Sequence, residues 1–192
     1  DLKLADITLV YPMKVTAEYD SLSSGRPYLQ RVVEPQLIMG PRYSYTYTNT
    51  MLPRTNTMYY KGTVDLAGTI AGLVTGGNAK EGKQKEIFGV PFSQFAKMEH
   101  DFRFYHKLTE KSSIASRAIA GVAYPYGNSI YVPFARQFFA GGSNSIRAFR
   151  ARTVGPGSYD PRNQASPFFD QTGDIKLELN AEYRANLYRF LN

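Results

Sequence analysis

The 192 residues suffice for one domain or one large barrel, and a hydrophobic content of 43% argues against a disordered chain. Cysteine is absent, which excludes a disulfide framework, a thiolate nucleophile and a zinc–thiolate site. The net charge of +7 comes from dispersed basic residues, several opposite carboxylates in the same strands, so a nucleic-acid surface is not expected.

No run approaches the roughly 18 apolar residues of a membrane helix, and no signal peptide is read here. A mean hydropathy of −0.36 leaves a membrane β-barrel open, because barrel strands hide their hydrophobicity by alternating. Aromatics at 14%, with 15 Tyr and 12 Phe but no Trp, favour strands and the aromatic girdles of barrels.

In chain order, a weak strand is expected within Ile7–Tyr19. Next, Arg42, Ser44 and Thr46 oppose Tyr43, Tyr45 and Tyr47. A short turn over Asn49–Asn56, containing Pro53, leads to Tyr60–Ala67, where Tyr60, Gly62, Val64 and Leu66 alternate with Lys61, Thr63, Asp65 and Ala67. Thr75–Gln94 reads as a polar, Gly-rich connection. In Ala96–Lys107, the Lys97, Glu99, Asp101, Arg103, Tyr105 and Lys107 face opposes Ala96, Met98, His100, Phe102, Phe104 and His106, which turns both histidines outward. After a tight turn at Leu108–Lys111, Ser112–Tyr124 groups Ile114, Ala118, Ala120, Val122 and Tyr124, with Arg117 on the reverse.

The sharpest pattern is Asp174–Leu187. Asp174, Lys176, Glu178, Asn180, Glu182, Arg184 and Asn186 fall on one face; Ile175, Leu177, Leu179, Ala181, Tyr183, Ala185 and Leu187 fall on the other. Soluble half-buried strands usually alternate over about 4 to 8 residues. These fourteen residues would span about 46 Å, more than a tilted membrane-crossing strand needs. Ile175, Leu177, Leu179 and Tyr183 are therefore expected to face lipid, and Lys176 and Arg184, with Glu178 and Glu182, to face the lumen.

Short turns on one side and long connections on the other, the longest over residues 125–173, are the pattern of an outer-membrane barrel. The expectation is an all-β fold, an antiparallel meander of five or six long strands over residues 1–192, with the long loop folding inward. Since the smallest membrane barrels have about eight strands, these residues read as part of a larger wall. The rest of the barrel and any periplasmic domains are expected to lie outside them.

The long connection contains Phe138-Phe139-Ala140-Gly141-Gly142-Ser143-Asn144-Ser145-Ile146-Arg147-Ala148-Phe149-Arg150 and then Gly155-Pro156-Gly157-Ser158-Tyr159. Gly141–Gly142 permits a sharp reversal. Ile146 and Phe149 flank Arg147 in a polar setting, so the tip is expected to pack inward, with Arg147 on a carboxylate as a planar fork. This run, placed before the strand at Gly173–Leu187, resembles the BamA/TamA superfamily of outer-membrane insertases, and with Asp170-Gln171-Thr172-Gly173-Asp174 most resembles its Bacteroidetes-type surface-antigen members. The resemblance is sharp over about 133–187, modest back to Tyr43 and poor before that.

The resemblance implies a barrel of about sixteen strands, within the range of such barrels. Its sixth extracellular loop folds into the lumen and presents a hydrophobic-Arg-Gly-aromatic tetrad, matched here by Ile146, Arg147 and Phe149. Ala148 stands where the family has Gly, a strained choice if that site needs positive φ. In the family the arginine pairs with an aspartate of the following strand, which would begin beyond Asn192, so Glu178 and Glu182 are the candidate partners here.

The function so implied is non-enzymatic, ATP-independent insertion or export of other polypeptides at the outer membrane of a Gram-negative-type cell. The implied partners are outer-membrane lipid, unfolded or nascent outer-membrane polypeptides and accessory assembly proteins. A passive outer-membrane channel is the alternative, and a soluble β-sheet enzyme or ligand-binding barrel a more distant one.

Other motifs carry less. Gly77-Asn78-Ala79-Lys80-Glu81-Gly82-Lys83-Gln84 nearly spells a phosphate loop, but Gln84 stands where Ser or Thr would hold magnesium. His100 and His106 lack metalloprotease spacing, and Gly142-Ser143-Asn144-Ser145 is not a nucleophile elbow. Glu178 and Glu182 could mimic a glycosidase pair, but alternation explains them as lumen lining. No metal and no cofactor are expected.

Overall fold

The computed structural model describes residues 1–12, 16–24, 27–155 and 171–186. Strands β1 (Leu2–Val10), β2 (Gln36–Thr48), β3 (Asn56–Ala67), β4 (Glu86–Ile87), β5 (Val90–Ser93), β6 (Phe95–Thr109), β7 (Ser112–Pro125) and β8 (Ile175–Ala185) form one eight-stranded sheet. Short helices α1 (Ala17–Ser23), α2 (Pro27–Val33) and α3 (Thr69–Thr75) occupy two connections. The wall runs β1-β2-β3-β6-β7-β8, every neighbour antiparallel, while β5 joins β2 by a short parallel pairing. Among the described residues β1 and β8 leave the sheet open at both edges. The fold is all-β, as the alternation implies. The expected residues Met13–Val15, Pro156–Tyr159, Asp170 and Leu187 lie outside the described ones, as does Asn192.

At roughly 3.4 Å per residue, the fifteen residues of β6 extend about 50 Å, enough to cross a bilayer at a tilt. The turns β2–β3 and β6–β7 are short and lie on one rim. The connections β1–β2, β3–β6 and β7–β8 are long and meet at the other. Thr75–Gln94 is therefore not one structureless loop. It follows α3 with a single 3-10 turn at Ala79–Glu81 and the β4–β5 hairpin, tied to the β7–β8 connection through Asn128. Asn128 is fully buried, accepting from Lys85 N–H at 2.7 Å and donating to the carbonyls of Lys85 and Phe92.

The first strand also differs from expectation, since it covers Leu2–Val10 and Ala17–Ser23 is helical. A bulge between Lys3 and Asp6 shifts the register against β2. It sits opposite Pro41, which has no N–H to give the ladder. Leu2 and Leu4 point outward before the bulge, and Ile7, Leu9 and Tyr11 after it, all exposed. The extra residue keeps apolar side chains on one face although the sequence period breaks.

Two apolar clusters lie near the long-connection rim, on opposite faces of the sheet. Ile38, Ala67, Phe95, Ala123, Val132 and Phe138 pack on the inner face beneath the β7–β8 connection. Leu37, Val90 and Phe92, with Met39, Ala71 and Ile87 against them, pack on the outer face beneath α3. Below them the outer face is unpacked. Leu177, for example, is 76% exposed, and Ile175, Leu179, Tyr183, Met98, Val122, Tyr43 and Tyr45 are also exposed. In water such a surface would be costly, at about 25 cal/mol per Å² of apolar area.

Candidate functional site

Alternation places acidic and basic side chains together on the inner face, and register then decides which of them meet. Arg103 and Arg117 are direct cross-strand partners. Two like charges so placed repel. Asp101, nearly buried, resolves this by accepting from both guanidinium groups, at 3.1 and 2.8 Å from each. Arg117 also donates to the Asn144 carbonyl, which fastens the long connection to the wall.

Nearer the long-connection rim a second network forms. Arg42 meets Asp6 at 3.1 Å and Asp65 at 2.6 Å. Arg136, from a 3-10 turn at the root of the connection, reaches Asp6 at 3.3 Å, Asp65 at 3.6 Å and the Thr8 hydroxyl at 2.9 Å. Lys97 donates to the Arg136 carbonyl at 2.7 Å and sits 4.0 Å over the Phe138 ring. That ring lies where a Cβ at position 121 would be, so Gly121 opens the seat for Phe138. Phe138 also exchanges both backbone hydrogen bonds with Gly173 at 2.9 Å, closing the base of the connection.

The loop tip is a compact reversal. Gly141 and Gly142 have φ of 92° and 91°, and a side chain at 141 would strike the Arg150 carbonyl. Gly142 N–H donates to the Phe149 carbonyl at 2.8 Å, and Phe149 N–H to Ile146 at 3.1 Å. The second bond closes a turn with Arg147 and Ala148 at its centre, neither at positive φ. The condition under which alanine at 148 would be costly, a positive φ, is therefore not met here. The left-handed non-glycine residue of this region is Arg152, whose guanidinium lies 4.7 Å from the Phe134 ring centroid and 5.1 Å from that of Phe139.

The two candidate carboxylates divide their work. Glu178, buried, accepts from the Ser145 hydroxyl at 2.5 Å and from Asn180 at 2.8 Å, and pairs with Lys176 at 3.2 Å. Glu182 takes Arg147 at 3.3 Å and Arg184 at 2.7 Å. The Arg147 side chain is 73% exposed, so this pair closes over water and not in a sealed interior. Ile146 is half-buried in a cavity of about 300 Å³ between the loop and β8. Phe149, expected to pack, is 53% exposed. The single open wall offers it no second surface.

Arg103, Arg117, Asn144, Arg147, Asn180 and Glu182 line a polar cleft of about 180 Å³. The anchors that sequence reading missed are Asp101, Arg103, Arg117, Arg136, Ser145 and Phe138. Pairing the two strands across the tight turn at 108–111 would have set Arg103 against Arg117; Arg136 and Ser145 carry no local signal. On the outer face, the Tyr60 hydroxyl lies 2.8 Å from His100 Nδ1, and Asn56 Oδ1 lies 2.6 Å from His106 Nδ1, so both outward histidines have partners. No group of three His, Asp or Glu that could hold a metal occurs among the described residues.

Comparison with known proteins follows the same residues. A family model described as the Omp85 superfamily domain matches residues 43–190. The outer membrane protein assembly factor BamA of Neisseria meningitidis serogroup B is 26% identical over 113 residues, which cover 58% of this chain. The matched stretch spans 13% of that relative's length. No solved structure matches the chain.

Proposed function

Because the chain belongs to the Omp85 superfamily and its strands are part of an outer-membrane β-barrel, we propose that it is the wall and inward loop of a machine that inserts or exports other polypeptides without ATP. What carries this reading is one sheet with two unlike faces. The outer face exposes Ile175, Leu177, Leu179 and Tyr183, which take lipid; the inner face is ion-paired and covered by the connection from Phe138 to Arg152. Lys176 and Arg184, beside Glu178 and Glu182, line the aqueous interior.

Such a wall needs no bond-making chemistry, metal or cofactor. A substrate strand gains by satisfying its backbone groups and burying its apolar face in hydrocarbon, which supplies the free energy. The loop's part is to fix the barrel's shape. Arg117, itself held by Asp101, together with Glu178 and Glu182 fastens it at three points along β7 and β8. The partners in this reading are lipid, unfolded outer-membrane polypeptides and accessory assembly proteins.

Depletion of the full-length protein, followed by quantitation of outer-membrane proteins, tests the reading. Loss of many unrelated barrels is the expected result. A passive channel would leave other barrels at normal levels while abolishing flux of its solute, and that outcome would overturn the proposal.

A further inference from the structure

The helix α3 is amphipathic in the inverted sense. Its small residues Ala71 and Gly72 face the protein: Ala71 packs on Leu37, Val90 and Phe92, and a Cβ at Gly72 would collide with the Gln94 side chain. Its large residues Ile70, Leu73 and Val74 face away, with Leu73 82% and Val74 81% exposed. These three positions stand at i, i+3 and i+4, one continuous stripe.

The register fixes which face and height of the wall this stripe occupies. Leu37 pairs with Leu9, and Met39 with Ile7, so all four share a face. On β1 that face is exposed and apolar, from Leu2 up to Tyr11. Phe92 pairs with Leu37 and lies on the same face. The helix begins level with this row, since Gly68 N–H donates to the Met39 carbonyl at 2.6 Å. The same end is tied down where the Thr69 and Tyr126 hydroxyls meet at 2.6 Å. Thus α3 covers the apolar wall of β2 and β5 at the height where β1 still exposes Ile7 and Leu9, and replaces that surface with one equally apolar.

We propose that α3 is a membrane-embedded helix, lying against the outside of the barrel wall near the long-connection rim, with Ile70, Leu73 and Val74 in the acyl chains of the outer leaflet. This rests on the reading of the exposed sheet face as lipid-facing. The occupant is hydrocarbon because the stripe continues the exposed apolar face of β1 and carries no charge of its own. A soluble loop helix would turn these residues inward and its small ones outward.

Spin labels on single cysteines at Leu73, Leu177 and Lys80 test this in the full-length protein, carrying no other cysteine and reconstituted in phosphatidylcholine vesicles. Collision with oxygen exceeding collision with a water-soluble nickel chelate at both 73 and 177, and the reverse at 80, is the expected result. Water exposure at 73 with lipid exposure at 177 overturns the helix proposal and leaves the wall standing. Water exposure at both overturns the wall and the helix together. Spin–spin broadening at 73 at low protein-to-lipid ratio would mean that a second copy covers the helix, and also overturns it. A cysteine at Ile70 repeats the test if the variant at 73 does not fold.

Discussion

Arg103 and Arg117 face each other across two strands, an arrangement that stands only while Asp101 lies between them. Removing an acid from a mostly desolvated cluster leaves uncompensated cations, at about 3–5 kcal/mol when burial is complete. Arg103 retains partial solvent contact, so Asp101→Ala should cost about 2 kcal/mol, seen as a lower urea midpoint for the detergent-folded full-length protein. It should also release the loop, because the Arg117 that Asp101 holds donates to Asn144. Arg147→Ala is predicted to behave differently. Its pair with Glu182 is largely solvated, so the midpoint should stay put while protease cleavage within Gly141–Gly155 rises. If cleavage does not change, Arg147 plays no part in anchoring. A midpoint that falls further for Arg147→Ala than for Asp101→Ala would reverse the assignment of the principal anchor.

At the level of the strand, β8 offers the cleanest test of two unlike faces. Cysteines at Leu177 and Leu179 should react slowly with a polar thiol reagent in proteoliposomes, and cysteines at Asn180 and Arg184 quickly; equal rates would remove lipid from the outer face. Strict alternation makes this strand legible from sequence alone, as a looser alternation does for β6, β7, most of β3 and the Arg42–Tyr47 part of β2, because each residue reports its face directly. The same rule misplaces β1. Its bulge changes the phase midway, so no single period fits Leu2–Val10. Deleting Ala5 should straighten the ladder and leave Leu2, Leu4, Ile7 and Leu9 on one face, because Leu4 alone would then stand opposite Pro41. An undiminished refolding yield, with a cysteine at Leu4 still shielded from a polar thiol reagent, is the expected result. Rapid labelling at Leu4 would mean that the bulge itself turns this segment outward. The rim was illegible for another reason. Asn128, Gln94 and Arg136 act through contacts across 30 residues or more of sequence, and no local pattern records them. Within the loop, the Gly-Gly reversal and the Arg147 carboxylate could be read, because backbone freedom and charge are local properties. The near-burial of Asp101 could not.

For the molecule as a whole, the decisive quantities are the area of the apolar face and the state of the sheet edges. Six wall strands with an exposed hydrophobic side are fewer than the roughly eight of the smallest closed membrane barrels. Both β1 and β8 present unpaired backbone groups on one side among the described residues, a template for pairing with any other strand. Water cannot offset the apolar face, and hydrocarbon cannot satisfy the edges. Each solvent solves one problem and aggravates the other. Residues 1–192 produced alone should therefore remain soluble only in detergent, and there should elute as associated species without the heat-dependent shift in gel mobility of a closed barrel. Adding the flanking strands of the parent should convert them into a heat-modifiable monomer, because pairing at β1 and β8 removes both templates. Size-exclusion chromatography with light scattering, beside electrophoresis of heated and unheated samples, distinguishes these states. A monodisperse monomer of residues 1–192 in plain buffer would mean that the outward leucines and tyrosines pack against protein after all, and that the sheet is an ordinary soluble one.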